Sequence, residues 1–261
     1  MKAFRRLVYP YMIWIGVFIV LPMIVIAIYA FTSKGNSVLT FQFTLDNFGR
    51  FFEDSIFPTV LWRSLVLAFK VTLISLVIGY PVAFFMSRMS VRQQGMGVII
   101  ITFPMWINML VRTYAWRGIL QQTGLDGGSK VLIGMVYNFI PFMILQIYST
   151  LIKIDKSLVN ASFDLGANRF NTFKNVVLPL SLPGVISGIT LVFLPAVSSF
   201  MIPKLLGGGD FVLIGNLVET YFVSTGDWNF GSAISLILSI VILLSMFITR
   251  KFDYSEKEVK S

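Results

Sequence analysis

The stretch L-V-N-A-S-F-D-L-G-A-N-R-F-N-T-F-K-N-V-V-L-P, from Leu158 to Pro179, decides how the rest of the chain is understood. It belongs to a polar segment, residues 153–175, that lies between two long apolar runs. A charged and patterned segment of this length is not needed merely to turn one apolar helix into the next. Its position and spacing therefore predict a docking element for a partner.

The composition indicates an integral membrane protein. Of 261 residues, 56% are hydrophobic and 13% are charged, and the mean hydropathy is +0.81. A membrane helix needs about 20 apolar residues, and runs of that length recur along the chain. We predict an all-α fold with six transmembrane helices in a single domain over residues 1–261. The predicted spans lie near residues 11–31, 65–85, 96–116, 131–152, 182–202 and 229–249.

The distribution of basic residues predicts the orientation. With the amino terminus inside, the inner segments hold thirteen lysines and arginines and the outer segments hold seven. Cytoplasmic loops are enriched in these residues, so we place both termini in the cytoplasm. The net charge of +9 then reflects segments that face anionic lipid, and we do not interpret it as binding to nucleic acid.

Cysteine and histidine are both absent from the chain. This excludes disulfides, zinc sites built from cysteine and histidine, and nucleophiles paired with histidine. The glycine run 207–209 is not followed by Lys-Ser or Lys-Thr, so it is not a phosphate-binding loop. We predict no catalytic role, metal or cofactor for this chain.

Within residues 153–175 the apolar and polar positions alternate with roughly helical spacing. Gly166 lies where a first short helix would end, because glycine adopts the required backbone angles readily. Asn171 is the expected cap of a second helix that runs toward Val177, and Pro179 is expected to begin the turn into the next span. The pattern predicts two short helices at an angle, which together form an exposed knob.

This segment resembles the coupling loop of ABC-importer permeases. In that family an E-A-A triplet is followed by three residues, Gly, nine residues, Ile, one residue and Leu-Pro, and the spacing here is the same. Asn160 replaces the acidic residue of the triplet and Ser162 replaces its second alanine. The resemblance implies that residues 153–181 form a cytoplasmic coupling loop. Its implied contact residues are Asn160, Ala161, Ser162, Asp164, Gly166 and Pro179.

Over most of its length the chain resembles the B-type permease subunits of spermidine/putrescine importers. The motifs that carry this resemblance are T-L-D-N-F at 44–48, G-Y-P-V-A-F at 79–84, L-V-R-T-Y-A-W at 110–116 and D-W-N-F-G-S-A at 227–233. It implies the type I importer fold and a location in the bacterial plasma membrane. The implied partners are a second, C-type permease, an ATPase homodimer that binds ATP and Mg, and an extracytoplasmic polyamine-binding protein.

A polycation that crosses a membrane needs carboxylates for its charge and aromatic faces for cation–π contact. The resemblance implies a substrate pathway that includes Trp106, Trp116 and Tyr137. Glu219 is the best acidic candidate for an external gate. For Asp227, either a contact with the binding protein or a helix cap is expected.

Alternative functions remain open at this point. The same kind of importer permease could carry thiamine, ferric iron or a phosphonate. A stand-alone channel is disfavoured because no repeated pore-lining motif is visible. A membrane enzyme is disfavoured because clustered carboxylates and histidines are lacking.

Overall fold

The computed structural model describes residues 2–33 and 42–258, with side chains for 9–33 and 42–247. This part of the chain is helical, apart from connections and one isolated bridge between Thr32 and Phe43. The predicted all-α class is confirmed for it. The α-helices are α1 (Lys2–Ile15), α2 (Leu21–Ala30), α3 (Asp46–Glu53), α4 (Ile56–Ser87), α5 (Val91–Trp106), α6 (Met109–Leu120), α7 (Gly127–Leu151), α8 (Lys156–Asp164), α9 (Arg169–Thr172), α10 (Leu178–Ser198), α11 (Met201–Leu206), α12 (Ile214–Glu219) and α13 (Trp228–Glu258). Turns of π-helix lie at Gly16–Val20, Phe173–Val177 and Thr220–Ser224.

Among the described residues, five helices are long and apolar enough to cross a membrane, and a sixth span exists if α5 and α6 cross as one bent pair. The count of six therefore stays a prediction. Helix length and composition do not give the side of the membrane on which a terminus lies, so the cytoplasmic location of both termini also stays a prediction. The five helical runs are Tyr9–Ala30, Ile56–Ser87, Gly127–Leu151, Arg169–Ser198 and Trp228–Phe247.

Residues 96–116 do not form the single helix expected of a simple span. The axes of α5 and α6 differ by 88°. Pro104 lacks an amide hydrogen and weakens the last turn of α5, and Ile107 is extended with ψ 136°. The side chain of Asn108 then accepts a hydrogen bond from the amide of Leu110 at 2.8 Å, which begins a new helix.

The fifth predicted span also ends earlier than its apolar run. Helix α10 stops at Ser198, and Ser199 is extended with ψ 133°. The chain becomes helical again in α11, so a break at Ser199 and Phe200 interrupts the run 182–202, and its last two residues already belong to α11. Continuous apolar sequence concealed this break, as it did the one near Asn108.

The chain groups into two compact units, Met1–Leu61 with Ile214–Ile242, and Trp62–Leu213 with Leu243–Ser261. In the second unit, two glycines allow α10 to lie close against α7. A Cβ on Gly184 would lie 2.5 Å from the hydroxyl oxygen of Thr150, and a Cβ on Gly188 would lie 2.7 Å from the sulfur of Met143. Small residues four apart are a common contact between membrane helices, because they let the two backbones approach.

In the first unit, two asparagine amides satisfy carbonyls at the end of α2. Nδ2 of Asn47 donates to the carbonyls of Ala30 and Thr32, at 3.0 Å each. Nδ2 of Asn229 donates to the carbonyls of Tyr29 at 3.1 Å and Thr32 at 2.9 Å. The last carbonyls of a helix have no partner within it, so these amides supply what the helix end lacks.

An ion pair fixes α3 to the start of α13. Nη1 of Arg50 lies 3.0 Å from Oδ2 of Asp227, whose side chain is 2% exposed, and its guanidinium lies 4.1 Å from the ring centre of Phe230. Oδ1 of Asp227 accepts a hydrogen bond from the amide of Phe230 at 3.3 Å. Of the two roles considered for Asp227, helix capping is therefore the one that the structure shows.

We predict that Arg50→Gln lowers the free energy of unfolding by about 1–3 kcal/mol, because it leaves the buried carboxylate of Asp227 without its cation. The lower half of that range is expected, since the side chain of Arg50 is 51% exposed and water screens the pair. The measurement is the thermal denaturation midpoint of the purified chain in detergent. Glu53→Gln, at an exposed position of the same helix, is the control, and equal midpoints for the two variants would contradict the prediction.

Candidate functional site

Helix α8 begins with a capped turn. Asp155 is extended, and its carboxylate accepts a hydrogen bond from the amide of Ser157 at 2.8 Å. That backbone hydrogen bond, together with one from the Ser157 side chain, lowers the pKa of Asp155 below its ordinary value. The carboxylate is therefore charged at neutral pH, where it also interacts favourably with the positive end of the helix.

Helix α8 ends at Asp164, and Gly166 closes its end, where the prediction placed the glycine. Gly166 has φ +82°, its amide donates to the carbonyl of Phe163 at 2.9 Å, and the amide of Ala167 donates to the carbonyl of Ser162 at 3.1 Å. These two bonds form a Schellman motif, in which glycine is preferred because side chains disfavour a positive φ. No atom lies within 4 Å of a Cβ built on Gly166, so the backbone conformation alone calls for glycine.

Helix α9 follows after two residues, and its cap differs from the prediction. The side chain of Asn168 accepts a hydrogen bond from the amide of Asn171 at 2.8 Å. The prediction that Asn171 is the cap is therefore wrong by one turn. Asn168 has the extended conformation of a capping residue, whereas Asn171 contributes the amide that is capped.

A hydroxyl pair joins α8 to α9. Oγ of Ser162 lies 2.9 Å from Oγ1 of Thr172, and Thr172 is 3% exposed. Ser162 is one of the two positions at which this chain departs from the coupling-loop pattern. The serine therefore has a structural role in this chain, because an alanine at position 162 would leave the buried hydroxyl of Thr172 without this partner.

The chain does not turn at Pro179. Residues Arg169–Ser198 form one helical run, in which the π turn Phe173–Val177 precedes Pro179. A π turn changes the hydrogen-bond register, and Pro179 then occupies the first turn of α10, where a missing amide hydrogen is tolerated. The prediction that Pro179 begins a turn into the span is therefore wrong, and the second short helix continues directly into α10.

Aromatic packing fixes this run to α4. The ring of Phe173 lies 5.9 Å from the ring of Tyr80 and 5.5 Å from the ring of Phe84, both edge to face. The hydroxyl of Tyr80 makes a 2.8 Å hydrogen bond with Oγ of Ser181 in α10. The base of the two-helix segment, which we define as residues 156–172, is therefore held on a membrane helix.

The outer face of the two-helix segment combines apolar and polar side chains. Leu165 is 89% exposed and Phe170 is 70% exposed. Asn160, Ala161 and Asp164 are also exposed. Exposed apolar side chains with a polar rim are typical of a protein-binding surface. The structure thus supports the predicted knob, although the roles of its individual residues stay predictions.

Two of the predicted pathway residues meet. The rings of Trp116 in α6 and Tyr137 in α7 lie 5.2 Å apart in an edge-to-face arrangement. The guanidinium carbon of Arg112 lies 5.9 Å from the ring centre of Tyr137, within the range of a cation–π contact. The ring of Tyr137 therefore has a cation beside it in this structure, the guanidinium of Arg112.

The other two pathway candidates lie apart from this pair. Trp106 is the last residue of α5 and is 77% exposed, and its ring lies 6.4 Å from that of Phe103. Glu219 is the last residue of α12 and is partly buried in the first compact unit. A pathway role for either residue stays a prediction.

Arg112 has a feature that the sequence analysis missed. Its Nε and Nη1 atoms are buried and have no hydrogen-bond partner among the described residues. An unpaired buried donor is costly, more so when it carries charge, so an acceptor from beyond the described residues is expected here. The signal in the sequence is an arginine one helical turn before Trp116, near the start of α6.

Residues 75–258 match the family of binding-protein-dependent transport system inner membrane components. The spermidine/putrescine transport system permease protein PotB of Haemophilus influenzae is 36% identical over 254 residues, which cover 90% of this chain and 88% of that protein. PotB of Escherichia coli is 35% identical, with coverage of 90% and 92%.

Solved structures share the fold at much lower identity. A bacterial ABC transporter that imports the acidic polysaccharide alginate has a TM-score of 0.70 and 14% identity, covering 100% of this chain and 96% of its own. The MetNI methionine ABC transporter, in an inward-facing conformation, has a TM-score of 0.62 and 18% identity, covering 76% of this chain and 94% of its own. These likenesses show the fold alone.

Proposed function

Because the chain belongs to the family of binding-protein-dependent transport system inner membrane components, we propose that it is the permease subunit of an ATP-driven importer that carries spermidine and putrescine into the cytoplasm. Relatives with this cargo in their names are 35–36% identical over 90% of the chain, which supports polyamines over thiamine, ferric iron or phosphonate. The subunit is not catalytic. ATP and Mg are bound by a separate ATPase homodimer.

The coupling role is inferred from the structure of the two-helix segment. Its exposed apolar face is available to a partner. The link between its two helices at Gly166 is held by the two hydrogen bonds of the Schellman motif. Its second helix continues into α10 without a turn. A displacement of the exposed face is therefore transmitted to a membrane helix and is not absorbed by a flexible loop.

The transport cycle follows from this connection. ATP binding closes the ATPase dimer, and the two-helix segment moves with it. The segment shifts α10, and the pathway alternates between inward-facing and outward-facing states. A single subunit forms only part of such a pathway, so the importer needs a second, C-type permease and an extracytoplasmic polyamine-binding protein. The complex lies in the bacterial plasma membrane with both termini of this chain inside.

The unpaired nitrogens of Arg112 support the proposal that a second permease packs against this chain. They lie at a half-buried position beside Tyr137 and find no acceptor in the described part of the chain. An acceptor on the neighbouring permease would remove the cost of burying them. Such pairing would also offset the positive charge beside Tyr137, which would otherwise repel an ammonium group of the substrate at the aromatic faces of Trp116 and Tyr137.

We predict that Gly166→Pro uncouples the importer. Proline fixes φ near −65° and has no amide hydrogen, so the positive φ and the bond to Phe163 are both lost. In liposomes that contain both permeases, the ATPase and the binding protein, ATP hydrolysis continues. The rate of ATP-dependent spermidine uptake falls by about tenfold or more, which corresponds to a rise of at least about 1.4 kcal/mol in the activation free energy of transport.

Gly124→Pro is the matched control, because Gly124 has φ +66° and likewise has no atom near a built Cβ, but lies between α6 and α7. It is expected to retain coupling. Normal uptake by Gly166→Pro would contradict the role of the segment. Spermidine uptake by liposomes that lack the ATPase would contradict the proposed function as a whole.

We predict that Tyr137→Leu raises the KM for spermidine uptake by about two- to thirtyfold, because a cation–π contact is worth roughly 0.5–2 kcal/mol. Tyr137→Phe keeps the aromatic face and is expected to stay near the native KM. The measurement is the initial rate of labelled spermidine uptake against concentration. An equal rise in both variants would show that the hydroxyl matters and the ring does not.

A further inference from the structure

A cavity of about 370 Å³ lies at the base of the two-helix segment. Residues from five places form its walls: the end of α4 with the turn after it, the start of α5, the end of α7 with the residues after it, the first turns of α8, and the π turn that precedes α10. Its polar lining consists of Ser87, Arg88, Gln94, Lys156 and Asn160. None of the described residues that line it is acidic.

The cavity is electropositive and has unused donors. Arg88 and Lys156 make no ion pair among the described residues, and Arg88 packs over the ring of Phe84 at 5.0 Å. The amide nitrogen of Gln94 is occupied by the carbonyls of Ser87 and Met89. The donors that remain for a ligand are the guanidinium, the ammonium and the amide of Asn160. Three such donors fit an oxyanion such as phosphate.

Asn160 matters for this charge balance. The coupling-loop pattern has an acidic residue at this position, and a carboxylate here would neutralise part of the charge of Arg88 and Lys156. The amide leaves both cations in place. The cavity in this chain therefore favours an external anion.

The position of the cavity identifies the source of the anion. Helix α4 ends at Ser87 and α7 ends at Leu151, so the cavity lies where two membrane helices reach the surface. Apolar side chains complete the lining, among them Val91, which is 86% exposed, and Ile152, which is 46% exposed. A free phosphate or a lone acidic side chain would use the cations only, whereas a phospholipid also covers these apolar groups.

We propose that this cavity binds the phosphate headgroup of an anionic phospholipid, with Arg88, Lys156 and Asn160 as its ligands. The bound lipid bridges α8 to the connection between α4 and α5. It thereby fixes the base of the two-helix segment on the membrane surface. Asn160 is also an implied contact of the coupling loop, so at that residue the proposal rests on the proposed function. Arg88 and Lys156 are not among those contacts, so lipid binding that depends on them can fail while coupling and transport remain.

The test is lipid retention by the full chain in nanodiscs that mix phosphatidylglycerol with phosphatidylcholine, measured by native mass spectrometry. Arg88→Gln and Lys156→Gln are each expected to weaken retention of phosphatidylglycerol about tenfold or more, since each removes a charge-assisted hydrogen bond to the phosphate that basic residues outside the cavity do not make. Asn160→Asp is expected to weaken it as well, because it places a carboxylate beside the phosphate. Arg92→Gln and Lys153→Gln, which change basic residues outside the cavity, are the matched controls and are expected to retain the lipid.

Equal retention by the cavity variants and their controls would overturn the proposal. Displacement of phosphatidylglycerol by millimolar inorganic phosphate would assign the cavity to a soluble anion and would also overturn it. Loss of ATPase co-purification in Arg88→Gln or Lys156→Gln, with lipid retention intact, would assign these cations to the protein partner with the same consequence.

Discussion

Hydrocarbon offers no hydrogen-bond partner to a peptide group, so a chain that crosses a membrane must satisfy its own backbone. Helices do this along most of the chain, and the places where a helix stops need a substitute. Asn47 and Asn229 supply it for the carbonyls at the end of α2, and Asn108 supplies it where α6 begins. The departures from helix are therefore held by particular side chains. The two-helix segment follows the same rule, since Asp155 and Asn168 cap its two helices and the amide of Gly166 closes the end of the first.

The second compact unit contains a continuous mechanical connection. The two-helix segment runs into α10, α10 lies against α7 through Gly184 and Gly188, and α7 carries Tyr137 beside Trp116. Each contact is close, and the helix-to-helix contact is tight enough that added side-chain atoms would collide. A movement at the exposed face of the segment can thus reach the aromatic pair without a flexible joint. In the proposed importer, this connection is how a movement of the ATPase reaches the substrate pathway.

Local features were predictable from the sequence, because they depend on neighbouring residues. Long apolar runs indicated the membrane helices, and Gly166 indicated the end of α8. The break at Asn108 was missed because apolar residues surround it, although Pro104 and the capping asparagine were visible signals. The pair of Arg50 and Asp227 was not predictable, because 177 residues separate its members. The same holds for the cavity, whose two cations lie far apart in the sequence, one in the turn after α4 and one at the start of α8, and line one cavity only in the folded chain.

The central claim is that the two-helix segment docks on an ATPase. The chain has no cysteine, so one introduced thiol reports on one position. Leu165→Cys places a thiol on the exposed face of the segment, where the Leu165 side chain is 89% exposed. Phe52→Cys places a thiol on α3, where the Phe52 side chain is 68% exposed. With a thiol-to-amine cross-linker in native membranes, Leu165→Cys is predicted to join the chain to the ATPase, and Phe52→Cys is predicted not to. No product from Leu165→Cys, or equal products from both, would contradict the account.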